Sequence, residues 1–421
     1  MTLPDAVTPP LAEWIVRQRW FASKAREIAG LNVLEHVELS DDPALALELV
    51  EARFQAGTHE LYQLLPGEPG AVEVLGELMG NEVAVNGVSF HGGVTPGGEI
   101  RPMGAEQSNS SVVFGEELVL KVFRRLEPGV NPELEMLRFL SEREFPNIAA
   151  LAGWYEYSGE RMHATLGILQ EFVGQARDGW MFALDDPNGL ASRIADLGRA
   201  TGAMHSVLAS DCEDPAFAPE DPSQEALSLL TATIDEQIER VFVDLPQDNP
   251  ALEPIAGRSE EVRERLQLMS HVGVGGRLIR HHGDYHLGQT LLADGRWIIL
   301  DFEGEPARAL LERRRKRSPL RDVAGMLRSF AYAASASELL RGVPAPEGWE
   351  AQAREDFLEA YLAAVEPTLL PPGRPATDKL LAIFELEKAV YELRYELNNR
   401  PDWVSIPVAG IARLLESEVM T

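Results

Sequence analysis

The chain of 421 residues is 45% hydrophobic and 25% charged, ordinary globular material and long enough for roughly two or three subdomains. Its 67 acidic against 38 basic residues give a net charge of −29, which argues against nucleic acid and against an anionic membrane as partners. One cysteine, Cys212, excludes an intrachain disulfide framework; the opening MTLPDAVTPPLAEW has no basic-then-apolar signal pattern, and no apolar run nears the roughly 18 residues of a membrane helix, so a cytoplasmic protein is expected.

In chain order, LAEWIVRQRWFASKARE predicts a short helical start, and the alternation in LALELVEARF and HELYQLL predicts strands. These make a first domain over residues 1–95, bounded by the Gly- and Pro-dense HGGVTPGGEIRP, His91 to Pro102. A β-rich block over 96–175 opens with EQSNSSVVFGEELVLKVF, where two strand-like runs flank Gly115-Glu116-Glu117 as a hairpin. Asn131-Pro132 then supplies an N-cap and a first-turn proline for the helix ELEMLRFL. A further strand, TLGILQEFV (Thr165 to Val173), closes the block. Residues 176–421 read as mostly helical, interrupted by RHHGDYHLGQTLLADGRWIILDFEGEP, Arg280 to Pro306. There, Thr290–Leu292 and Trp297–Leu300 flank Ala293-Asp294-Gly295, and Asp-Gly is a strong hairpin signal.

That hairpin would return Asp301 to the loop that carries Asp284, with Gln289 between them. A carboxylate and an amide oxygen are hard ligands of the kind Mg²⁺ takes alongside a partner's phosphates, leaving Asp284 to orient and deprotonate an attacking hydroxyl. His282-Gly283-Asp284, Gln289 and Asp301-Phe302 follow the order used by kinases for phosphoryl transfer. The alternation of His282, Asp284 and His286 offers a zinc hydrolase as a rival, but His281 and the glycine favour a loop over a regular strand. Lys121 lies inside the apolar LVLKVF and needs an acidic partner; Glu135 on the following helix suits, with Glu133 as the competitor. No G-x-x-x-x-G-K-[ST] is present. In its place Ser108-Asn109-Ser110-Ser111, just ahead of the strand, could offer amides and hydroxyls to phosphates.

RQRWFASKARE, AEQSNSSVVF, LKVFRR, HGDYHLGQ, DFEGEPA, SPLRDVAGMLRSF and EKAVYELRYELNNRPDW together resemble the maltokinases, relatives of the aminoglycoside phosphotransferases. The resemblance implies an α+β, eukaryotic-protein-kinase-like two-lobed fold with an N-terminal cap domain, a β-rich intermediate lobe and a helical C-terminal lobe. It implies ATP- and Mg²⁺-dependent phosphorylation of maltose at the anomeric hydroxyl for α-glucan synthesis. By matching positions, Lys121 and Glu135 are the nucleotide-lobe pair, Asp284 the catalytic base, and Gln289 and Asp301 the metal ligands. Gln170, Glu171, Phe172 and Val173 are the hinge near adenine, and His282, Glu303 and Asp322 take supporting roles. Asp322 is expected to bond backbone near the catalytic loop. A glucosamine kinase built on the same machinery is the alternative acceptor reading. The likeness to the maltokinase part of trehalose synthase fusions raises trehalose synthase as a partner.

Leu386, Ala389, Val390, Leu393 and Leu397 form one apolar face of the C-terminal helix, and Tyr391, Arg394, Tyr395 and Asn398 form a second stripe at i, i+3, i+4, i+7. That stripe could floor a sugar pocket, with Arg400 and Trp403 of NNRPDW as further candidates. The basic run Glu312 to Arg317 reads as a solvated face, and His205 as a packed helix histidine. A catalytically silent kinase fold is the reading from another class, against which Lys121, Asp284 and Asp301 all remain in place.

Overall fold

A computed structural model describes residues 11–68, 71–103, 109–160, 162–246, 248–269, 275–306 and 308–416. They fall into two units: one runs to Glu144 and resumes over Ile148–Gln175, the other comprises Phe145–Asn147 and the chain from Ala176 onward.

In the first unit, α1 (Leu11–Ile15) precedes an antiparallel run of β1 (Ile28–Asp41), β2 (Ala44–Phe54) and β3 (His59–Leu64). Alternate residues through most of β2 are buried, as a period-two strand with one apolar face requires. Val50, Ala52 and Phe54 of that strand pack with Tyr62 and Leu64 against Ile15, Trp20 and Phe21. Then come α2 (Val72–Gly80), β4 (Ala84–Val85), β5 (Val88–His91), β6 (Ile100–Met103), β7 (Asn109–Phe114), β8 (Leu118–Phe123) and β9 (Arg125–Leu126). The unit closes with α3 (Pro132–Glu142), β10 (Leu151–Ser158) and β11 (His163–Glu171). Among the described residues the strands form two sheets, ordered β1-β2-β3-β9 and β4-β5-β10-β11-β8-β7-β6. Residues on both sides of position 95 therefore share this unit: β4 and β5 join the seven-stranded sheet, and β9 returns to the first. The β7–β8 hairpin pairs Ser111 with Lys121 and Asn109 with Phe123.

The second unit holds β12 (Arg177–Asp178), α4 (Gly179–Asp185), α5 (Pro187–Leu208), α6 (Gln224–Val243) and α7 (Ser259–Met269). The hairpin β13 (Thr290–Ala293) and β14 (Arg296–Ile299) follows, then α8 (Leu310–Arg313), α9 (Leu320–Arg341), α10 (Trp349–Ala364), α11 (Arg374–Asn399) and α12 (Ser405–Glu416). The hairpin turns on Asp294 (φ +49°) and Gly295 (φ +77°), the successive left-handed pair that a tight two-residue turn demands. It is anchored from both sides: Trp297 Nε1 donates to Arg193 O of α5 (2.9 Å), and Ile299 N to Asn147 O (2.8 Å). Among the described residues no helix is long and apolar enough to cross a membrane.

Candidate active site

Every residue of β8 is buried, so Lys121 has its ammonium inside the unit, where it needs a counter-charge. Its Nζ donates to both carboxylate oxygens of Glu133, at 2.8 and 3.1 Å. The pair thus forms with Glu133 where Glu135 was expected. Helix phase explains this: Glu133 shares a stripe with the buried Met136, Leu137 and Leu140, at i+3, i+4 and i+7. Glu135, two residues on, is turned about 200° away. Asn131 fixes that phase, its side chain accepting from Glu133 N at 2.8 Å with Pro132 in the first turn. The small polar run divides between two faces. Ser111 and Asn109 lie opposite Lys121 and Phe123 and share their side of the sheet, whereas Ser110 points to the other side and accepts from Arg124 Nε at 2.8 Å. This removes Ser110 from the surface that carries Lys121; Ser108 lies outside the described residues. Gln170 and Glu171 end β11, followed by Phe172 and Val173, and Phe172 N donates to Glu117 O at 2.7 Å.

In the second unit one buried carboxylate organises the loop. Asp322, near the start of α9, accepts from His282 N (2.7 Å), Gly283 N (2.9 Å) and His205 Nε2 (3.1 Å). His282 is boxed between Tyr285 and Phe302, with ring centroids at 5.2 and 5.0 Å. Its Nε2 donates to Leu300 O (2.7 Å), so its Nδ1 is the acceptor for Asp284 N (3.3 Å). One imidazole thereby ties the backbone of Asp284 to the residue before Asp301. A further bond, Leu300 N to Gln289 O at 3.0 Å, binds the third member of the set. Asp301 has φ +54°, a left-handed conformation tolerated by aspartate but disfavoured for side-chain-bearing residues generally, held here beside the two bonds that fix Leu300. Gly325 lets α9 reach the loop, since a Cβ there would stand 2.6 Å from Tyr285 O. Gln289 and Asp301 offer an amide oxygen and a carboxylate, a donor set that fits a hard divalent cation such as Mg²⁺.

Burial sets the ionisation of the groups under this loop. Burial alone would raise Asp322, but His281 and His205, with the hydrogen bonds above, hold it well below the usual carboxylate range. His281 is only half-buried as a residue, yet its Nδ1 is enclosed, and burial pulls its imidazole down to about 3. Burial likewise lowers His286, against the opposing field of Asp284. His205 is fully buried and bonds Tyr361 Oη (3.1 Å) as well as Asp322, which makes it a member of this support.

Asp284 opens onto a cavity of about 560 Å³ within the second unit, whose lining includes Tyr391, Tyr395, Arg400 and Trp403. Arg394 and Asn398 are exposed and absent from that lining, and Asn398 Nδ2 merely donates to Arg394 O one turn back. The pocket-facing stripe of α11 is instead Lys388, Tyr391, Glu392, Tyr395 and Glu396. Glu392 is held by Arg328 of α9 (2.8 Å) and Glu396 by Tyr332 Oη (3.1 Å) and by Arg400 (2.6 Å). Lys388 Nζ stands 4.0 Å from Asp284 Oδ1. Sequence reasoning passed over Lys388, Glu392 and Glu396, although their i, i+4, i+8 spacing inside EKAVYELRYEL was there to be read. Asp178 and Trp180, from the start of α4, complete the wall named here.

A β-rich unit with a buried Lys–Glu pair, and a helical unit whose His-Gly-Asp loop is braced against a strand-end aspartate, define a kinase-like phosphotransferase. A phosphotransferase enzyme family model matches residues 99–364, and the chain belongs to that family. A maltokinase N-terminal cap domain model matches residues 14–73. The chain is 28% identical over 345 residues to a glucosamine kinase of Streptacidiphilus jiangxiensis, covering 78% of this chain and 76% of that protein. It is 27% identical over 341 residues to a glucosamine kinase of Mycolicibacterium smegmatis, covering 76% and 81%. Among solved structures, a glucosamine kinase in crystal form B superposes with TM-score 0.76 at 21% identity, over 97% of this chain and all (100%) of the other. A glucosamine kinase in complex with glucosamine, ADP and inorganic phosphate gives 0.74 at 22% identity, with coverage of 97% and 100%. The fold is therefore the α+β, kinase-like one with an N-terminal cap domain, and the chain is a phosphotransferase.

Proposed function

We propose that the chain is an ATP-dependent kinase whose acceptor is an amine-bearing monosaccharide, glucosamine in the first instance. The observation that carries this is the cavity at Asp284, which combines aromatic faces suited to sugar C–H surfaces with carboxylates suited to an ammonium. Glu392 and Glu396 are already engaged by cations, which leaves Asp178 as the partner for the amine; only its Oδ1 is used, in capping Met181 N at 2.8 Å. Both curated relatives named above are glucosamine kinases, which supports the same acceptor.

In this reading Lys121, steadied by Glu133, holds the nucleotide phosphates, with Asn109 and Ser111 on the same side of the sheet. Gln170 to Val173 flank the base. Gln289 and Asp301 hold Mg²⁺, which supplies neutralisation of phosphate charge. Asp284 accepts the proton of the acceptor hydroxyl as its oxygen bonds the γ-phosphorus and ADP leaves. His282 and Asp322 keep Asp284 in position, and Lys388 helps to orient its carboxylate. Most of the acceleration would come from positioning and charge complementarity. The cap-domain match favours a second reading, phosphorylation of maltose at its anomeric hydroxyl.

Glucosamine, glucose and maltose, offered side by side with ATP and followed by phosphorus NMR, test both readings. Glucosamine phosphate that Asp284→Asn abolishes, with Asp178→Asn raising KM for glucosamine about tenfold but leaving glucose unchanged, is the expected result. An anomeric phosphate on maltose alone would replace the first reading with the second. Transfer to none of the three would overturn both.

A further inference from the structure

The first unit holds a cavity of about 650 Å³ beside the β6–β7 edge of its seven-stranded sheet, and Lys121 is not among its lining residues. Ser110, Val112 and Val122 line it from the face opposite to Lys121, and Asn109 and Ser111 reach it at the strand's end. Leu45 of β2 and Leu65, just after β3, line it too, and the segment before β1 supplies Arg17, Arg19 and Trp20. The walls are mostly apolar, but two polar groups on the inner surface are unusual. Arg124 and Trp20 are 4% and 5% exposed. Arg124 uses its Nε on Ser110, yet its Nη1 has no acceptor among the described residues, and neither has Trp20 Nε1. The two groups are neighbours, with the guanidinium carbon 5.7 Å from the Trp20 ring centroid.

Both groups are donors and nothing else: neither indole N–H nor guanidinium can accept. Burying such groups without an acceptor is costly, and a buried cation without a counter-charge more so. Burial draws Arg124 down to about 10, which still leaves it a cation at neutral pH. Among the described lining residues the one carboxylate is the exposed Glu68, against Arg17, Arg19 and Arg124. In a chain of net charge −29 this is a local reversal of sign. The volume is that of a small-molecule site.

We propose that this cavity binds a small organic anion, an apolar body bearing one phosphate or carboxylate, whose oxygens take the Arg124 Nη1 and Trp20 Nε1 hydrogens. The rim arginines Arg17 and Arg19 draw it in, and Leu45 and Leu65 cover its apolar part. Lys121 does not line this cavity, although Asn109 and Ser111 from its side of the sheet do.

Phenyl phosphate and phenylacetate, titrated into the full chain by calorimetry, are the probes, with benzyl alcohol as the uncharged control. One saturable site for an anionic probe and none for the alcohol is expected. Arg124→Met, which keeps the buried stem and discards the charge, should weaken binding at least about tenfold without lowering the melting temperature. Trp20→Phe keeps the ring packing, removes only the N–H, and should weaken binding several-fold, so it decides the matter if Arg124→Met fails to fold. Lys121→Met should leave the affinity where it was. The proposal is overturned if neither probe binds saturably up to millimolar concentration, if Arg124→Met and Trp20→Phe bind as the wild type does, or if Lys121→Met alone abolishes binding.

Discussion

Lys121 and Glu133 have side-chain exposures of 6% and 1%, so removing either leaves a charge buried beside a lost partner. Lys121→Met and Glu133→Leu are each expected to cost about 3 kcal/mol, while the double variant recovers most of that, because an apolar pair fills the same space without desolvation. Chemical denaturation of the four proteins reads the coupling; a double variant less stable than either single one would count against it. Phosphotransfer should remain lost in the double variant, which separates the pair's functional role from its structural one. Asp284 behaves differently. It supports the loop through its backbone N–H, not its carboxylate, so Asp284→Asn should change stability by less than about 0.5 kcal/mol. Turnover should fall by about 10³, as expected for loss of a general base. The sequence supplied both glutamates as candidates for Lys121, but choosing between them needed the rotation of α3 against β8, which Asn131 sets and which one-dimensional spacing cannot express.

The hairpin that braces the catalytic loop and the helix that walls the cavity were unequally legible. The β13–β14 hairpin could be read from Asp294-Gly295 because turn chemistry is local. The face of α11 could not. Its period was evident, and Tyr391 and Tyr395 do line the cavity, but Arg394 and Asn398 lie outside it because the pocket-facing stripe is centred on the other side of the tyrosines. Glu392 and Glu396 look like solvent-facing charges in the sequence. Their partners Arg328 and Tyr332 are 64 positions away on α9, beyond the reach of any local pattern. Arg394→Ala should accordingly leave kinetics unaltered, whereas Trp403→Ala should raise the acceptor KM severalfold; equal effects would return Arg394 to the site. Helix α9 approaches the loop at Gly325, and a methyl there would meet Tyr285 O at 2.6 Å. Gly325→Ala is expected to lose about 1–3 kcal/mol and to lower kcat with the melting temperature, since relief requires the loop or the helix to move. A fully active, unshifted Gly325→Ala protein would show that the approach is not needed.

For the whole molecule, the buried histidines and Asp322 give acid sensitivity a definite sign. His281 ionises near pH 6.5 when unfolded and near 3 when folded, so between those values the unfolded chain binds the extra proton. Stability from this group is full above about pH 6.5 and falls on acidification by up to about 1.4 kcal/mol per pH unit. His286 is lowered in the same direction, and Asp322 adds a further loss as pH drops below the unfolded carboxylate range, near about 4. The melting temperature should therefore decline from pH 6.5 to 4.5, and His281→Gln should flatten the slope; an unchanged slope would place the acid sensitivity elsewhere. The hairpin carries one more consequence. Gln289 and Asp301 are separated by a stretch of chain with no slack, paired residue for residue and closed by the Leu300–Gln289 bond. A single inserted residue would shift β14 by one pleat and turn Asp301 to the opposite face. Length change compatible with this chemistry must fall outside the hairpin, which acts as the fixed ruler of the molecule.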